Sequence, residues 1–126
     1  MTPPISREGD DAEMRFIQLT GARWSDDKSA GDAILDVDRE AHYVEVKQCS
    51  ATTVNQVRAI KFIPLVVWHS RSARWHVLAR HELVQRIVTK DRGQHTEIAF
   101  ECATLSLRDF PAGLPGSELL RAVEEA

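Results

Sequence analysis

The chain has 126 residues, 43% apolar and 28% charged, which suits one globular domain with its own core and no need of disulfide support. No apolar run approaches the roughly 20 residues that cross a bilayer. The N-terminal residues lack the apolar centre of a signal peptide, and Cys49 and Cys102 match no zinc spacing, so the chain reads as a reduced cytoplasmic protein without membrane contact. The net charge of −3 is unevenly spread: residues 15–92 hold 13 Lys/Arg against 9 Asp/Glu, and the flanks hold 3 against 10. A mildly basic middle is compatible with a phosphate-binding face.

Residues 1–9, with Pro3-Pro4 and polar neighbours, offer nothing to bury and read as a disordered leader to a single domain over 10–126. From Asp10 to about Gly21 the spacing of Ala12, Phe16 and Leu19 predicts a helix, acids in its first turn and Gly21 as its stop. A polar loop, 23–31, leads to a β-hairpin with strands near 33–37 and 42–48. Without Asn-Gly or Asp-Gly, a four-residue connection over Asp38 to Ala41 is the economical turn. Ser50 to Thr53 then offers helix-start chemistry, Thr53 to Gln56 matches a capping box, and Pro64 would end that helix near Phe62.

Leu65-Val66-Val67-Trp68 reads as a buried central strand, followed by a strand over 75–79 and an amphipathic helix over 82–90 that Arg92-Gly93 breaks. A strand over 96–107 and a short helix over 118–125, capped by Ser117, complete the chain. The order is that of an α/β or α+β sandwich.

The stretch from Asp32 to Lys47 carries the chemistry. With Val37 opposite His42, Asp32, Glu45 and Lys47 project from one face of the hairpin. Asp32 and Glu45 are then diagonal neighbours, about 7–8 Å apart at most. Leu35, Val37, Val44 and Val46 point the other way and are all apolar. Two carboxylates at that distance can share a hard cation such as Mg²⁺, and a neighbouring lysine can orient a water. The same residues also suit a plain surface hairpin with a cross-strand Asp–Lys ion pair. Asp36 shares the face but stands nearer the turn.

Asp32, twelve intervening residues and Glu45-Val46-Lys47 resemble the D-x(n)-E-x-K core of the PD-(D/E)XK nuclease superfamily, over roughly residues 10–80. Gly31 stands where that motif's Pro would be. In length and spacing the chain is most similar to small Holliday-junction resolvases of the archaeal type and to small phage or restriction-like nucleases. The resemblance implies a restriction-endonuclease-like α/β fold, a central mixed β-sheet flanked by helices. It also implies a Mg²⁺- or Mn²⁺-dependent endodeoxyribonuclease. Asp32 and Glu45 would ligate the metal with the Val46 carbonyl, Lys47 would position the attacking water, and Glu13 would be the first-helix carboxylate. Gln48 and Gln56 are further polar candidates. Symmetric cutting of a junction implies a C2 homodimer, for which apolar groups of the 64–80 hairpin are one expected interface.

Arg23, Lys28, Arg58 and Lys61 flank the hairpin and are the expected DNA contacts, though solvated surface charge would look the same. Trp24 would stack on a base or anchor its loop, while Trp68 and Trp75 read as core. The five histidines show no metal spacing. Three rivals stay open: a non-catalytic DNA-binding or assembly subunit of the same fold, a restriction- or phage-type nuclease acting on duplex DNA, and a protein-interaction domain.

Overall fold

The structure, a computed structural model, describes residues 8–57, 61–89 and 103–126. Helix α1 (Glu8–Thr20) starts two residues inside the expected leader, whose residues 1–7 lie outside the described ones. It ends where Gly21, at φ 77°, returns its N–H to the Ile17 carbonyl at 3.0 Å, a left-handed stop that costs glycine nothing. The strands are β1 (Arg23–Trp24), β2 (Ala33–Val37), β3 (Glu40–Cys49), β4 (Thr53–Val57), β5 (Leu65–His69) and β6 (Arg74–Leu78), followed by α2 (Arg80–Thr89), β7 (Ala103–Ser106) and α3 (Leu119–Glu125). Five strands form one sheet in the order β1-β2-β3-β5-β6, and β4 pairs with β7 in a second, two-stranded sheet. Only the central β3–β5 pair is parallel, so the main sheet is mixed.

Each face of the main sheet buries its own core. On one, Ala12 and Phe16 of α1 and Leu119 and Val123 of α3 meet Leu35, Val44, Val46, Val66, Trp68 and Trp75. Trp75 is buried, 4.9 Å from Trp68 and 6.3 Å from Phe16 between ring centroids, and the Arg15 guanidinium lies 5.0 Å over Trp68. On the other face, Leu83 and Ile87 of α2 pack with Val54, Val57 and Leu105 of the small sheet on Leu65, Val67 and Leu78. The expected apolar side of the hairpin (Leu35, Val37, Val44, Val46) indeed faces the α1–α3 layer.

Four expectations are corrected. Residues 53–57 are strand, not helix: Val54 and Val57 are both buried although three apart, because a bulge lies between them in the pairing with β7. A spacing of three imitates a helical face, and Thr53, Val54 and Val57 are β-branched. The hairpin turn is two residues, not four, with Val37 paired to Glu40 and both Asp38 (φ 51°) and Arg39 (φ 69°) left-handed. Ser117 lies within a 3₁₀ turn, Gly116–Glu118, and caps nothing; α3 begins after it. The 64–80 hairpin offers no apolar interface, since Leu65, Val66, Val67, Trp68, Trp75, Val77 and Leu78 are all buried. Its outer edge is also covered, for Trp75 and Leu114 exchange backbone hydrogen bonds of 2.9 and 2.7 Å. The break at Arg92-Gly93 and residues 96–102 of the expected last strand lie outside the described residues.

Candidate active site

The two-residue turn moves the hairpin register by two positions, which preserves face parity while changing the neighbours. Ala33 pairs with Val44 and Ile34 with Tyr43. Asp32, just before β2, is fastened to the residues on either side of Glu45. Its N–H donates to the Val44 carbonyl at 2.9 Å, and its carboxylate accepts the Val46 N–H at 2.9 Å. Asp32 is thus held on the stretch of β3 backbone that carries Glu45. Glu45 is locked from the other side too, its N–H donating to the Pro64 carbonyl at 3.0 Å, and Lys47 follows on the same strand face, opposite Val67 of the parallel neighbour. Gly31 makes the close approach possible. A Cβ there would meet the Tyr43 Cβ at 2.9 Å and the Ile63 Cδ1 at 3.2 Å.

The loop before Asp32 is ordered by its own side chains. Asp27 accepts from the Ser29 hydroxyl at 2.6 Å and from the Ser29 N–H at 3.0 Å, while its carbonyl receives the Ser25 hydroxyl at 2.8 Å and the Ala30 N–H at 2.9 Å. The Ser29 bonds hold the Asp27 carboxyl below its usual range. Tyr43 reaches across to Asp26 at 2.8 Å. This frame presents Lys28, whose ammonium lies 2.7 Å from Glu13 of α1 and 3.5 Å from Asp32. Partial burial pulls that ammonium down, but the hydrogen bond and charge of Glu13, joined by Asp32, outweigh it and leave it above the usual lysine value. The Glu13 side chain is 8% exposed, so Lys28 matters more to it than a surface partner would. Lys61 joins the group, 3.3 Å from Glu45 and 3.4 Å from the Lys28 carbonyl.

Three carboxylates thus meet two bridging lysines: Glu13 and Asp32 share Lys28, and Glu45 takes Lys61. Among the described residues Lys47 makes no ion pair. Among them, too, no three His, Cys, Asp or Glu side chains stand close enough together to hold a metal as they are, and the Lys28 ammonium lies between Glu13 and Asp32. The donor set nonetheless suits a hard cation, being all carboxylate oxygen on half-buried or buried side chains.

The other candidates fall elsewhere. Arg23 pairs with Asp36 at 3.3 Å, both more than half exposed, which occupies Arg23 and removes Asp36 from the site. Arg58 and the Gln56 side chain lie outside the described residues. Trp24 is half-buried on the edge strand, and Gln48 lies on the α1 side with its amide oxygen buried and unpartnered. Sequence reading gave Lys28 and Lys61 only as DNA contacts. Their bonds to Glu13, Asp32 and Glu45 join residues 15, 4 and 16 positions apart. Only the i,i+4 pair of Lys28 and Asp32 has a local signal.

No model of a known protein family matches the sequence, and no curated protein sequence matches it. A solved structure does: Hjc of Archaeoglobus fulgidus, a Holliday junction resolvase from an archaeal hyperthermophile, is similar with a TM-score of 0.60 at 12% identity, over 91% of this chain and 97% of that one. The chain therefore has a restriction-endonuclease-like α/β fold, a central mixed sheet flanked by helices. At this identity the likeness is one of fold. No helix among the described residues is long and apolar enough to cross a membrane.

Proposed function

We propose that the chain is a metal-dependent DNA endonuclease of the PD-(D/E)XK type, structure-specific in the manner of a Holliday-junction resolvase. The observation that carries this reading is the fastening of Asp32 to both neighbours of Glu45, with Lys47 next on that face, on a fold shared with a resolvase. Asp32 and Glu45, with the Val46 carbonyl and Glu13, would hold Mg²⁺ or Mn²⁺. Bound there, the ion supplies charge for the scissile phosphate and acidifies water. Lys47 hydrogen-bonds the attacking water and offsets the negative charge that grows on the phosphate. Lys28 and Lys61, released from the carboxylates, become the nearest cations to the DNA backbone. Cutting two symmetric strands of a junction takes two copies of this site, hence a C2 homodimer.

The test is cleavage of a panel of junction, flap, duplex and single-stranded DNAs in Mg²⁺. The reading expects cuts in branched DNA first, and failure to cut any DNA with Mg²⁺ or Mn²⁺ overturns it. The pairing of all three carboxylates with lysines favours one alternative, a non-catalytic DNA-binding or assembly subunit. Thermal unfolding decides between them. A working site gains several degrees with Mg²⁺, since a ligand of the native state alone stabilises it, and a lysine-neutralised site gains none.

A further inference from the structure

Among the described residues only Leu19 and Phe62 are large apolar side chains left exposed, and Phe62, at 43%, stands beside the proposed site. The backbone at Phe62 is left-handed, φ 51°, a conformation that costs free energy for any residue with a Cβ and most for a bulky one. Its neighbours explain what keeps it there. Lys61 is bound to Glu45 at 3.3 Å, Pro64 accepts the Glu45 N–H at 3.0 Å, and Ile63 turns inward to Gly31, next to Asp32. Residues 61–64 therefore grip Glu45 at both ends, and Phe62 is pushed outward between them.

The ring emerges beside a guanidinium and an imidazole. The Arg80 guanidinium lies 5.8 Å from its centroid, and the exposed His81 ring meets it edge-on at 4.9 Å. An exposed aromatic with an arginine guanidinium beside it is complementary to a flat, anionic partner. Phe62 belongs to neither core cluster, so core burial does not offset the strain at this aromatic.

Resting on the endonuclease reading, we infer that Phe62, flanked by Arg80 and His81, is a base-stacking residue that seats an unpaired or unstacked nucleotide of the DNA beside the cutting site. Stacking on a π-face is sequence-tolerant, so Phe62 recognises DNA structure rather than a base sequence. Arg80 lends charge to the adjacent phosphate.

The test is equilibrium binding in Ca²⁺ of a four-way junction carrying 2-aminopurine near the branch point, and of plain duplex. The wild type is compared with Phe62→Gly and Phe62→Trp. Phe62→Gly should weaken junction binding about tenfold, abolish the 2-aminopurine fluorescence change and leave duplex binding within about twofold. Its Tm should not fall, because glycine relieves the left-handed strain; Phe62→Trp should restore both signals. A purely structural Phe62 would instead lower Tm and leave the fluorescence change intact, which overturns the proposal. So does a shift from dimer to monomer in Phe62→Gly, which would assign the ring to an interface between copies. Wild-type binding matched by Phe62→Gly sinks the stacking role alone, while absence of any DNA binding by the wild type takes the endonuclease reading down with it.

Discussion

In the proposed site Lys28 occupies the position that a metal would contest. Its ammonium bridges Glu13 at 2.7 Å and Asp32 at 3.5 Å, so a divalent ion can use both carboxylates only after Lys28 leaves. Lys28→Met should therefore tighten Mg²⁺ binding by about tenfold in calorimetry, while the metal-free protein loses about 1 kcal/mol in urea unfolding because the buried Glu13 loses this hydrogen-bond partner. Unchanged or weaker Mg²⁺ binding would show that Lys28 does not compete. Gly31 is a second residue whose meaning appears only in three dimensions. By sequence it is a departure from the motif's proline; in the fold it lets β3 approach within reach of Asp32. Gly31→Ala places a Cβ 2.9 Å from the Tyr43 Cβ, and overpacking of this kind costs about 1–3 kcal/mol, read in urea unfolding. The placement of Asp32, Glu45 and Lys47 along the hairpin was legible because spacing and period-two alternation are local. The pairing of Glu13 with Lys28 was not, because it joins α1 to a loop whose course depends on Asp27 and the serines beside it.

At the level of elements, that loop titrates. The folded Asp27 carboxyl lies below its ordinary 3.8, chiefly through the Ser29 hydroxyl and N–H. A depressed carboxylate stabilises the loop above its unfolded pKa and loses that contribution as pH falls through its folded value. The Ser29 amide NMR signal should titrate with a midpoint below 3.8, and a midpoint at or above 3.8 would contradict the hydrogen bonds. The hairpin teaches the same lesson about locality. Its strands and faces follow from alternation, but the turn does not: Asp38-Arg39 takes left-handed angles that the strands' twist demands and that arginine does not favour. Replacing the pair by Asn-Gly should stabilise the protein by about 0.5–1 kcal/mol in urea unfolding. Strand β4 was illegible for a different reason, since its bulge gives a helical spacing to residues that pair with β7, far along the chain.

The whole molecule divides its work between the two faces of one sheet. The α1–α3 face is held by the Trp68–Trp75–Phe16 stack, and it also carries Glu13 on α1 toward Lys28. On this scaffold Asp32, Glu45 and Lys47 would form the proposed metal-dependent phosphodiester-cleaving site. Single-turnover cleavage of a four-way junction in Mg²⁺, comparing the wild type with Asp32→Ala and Lys47→Ala, tests it most directly. The site predicts that the wild type cuts and that each variant loses at least about a thousandfold in rate while keeping its circular dichroism and cooperative unfolding. Full cleavage by either folded variant would contradict it.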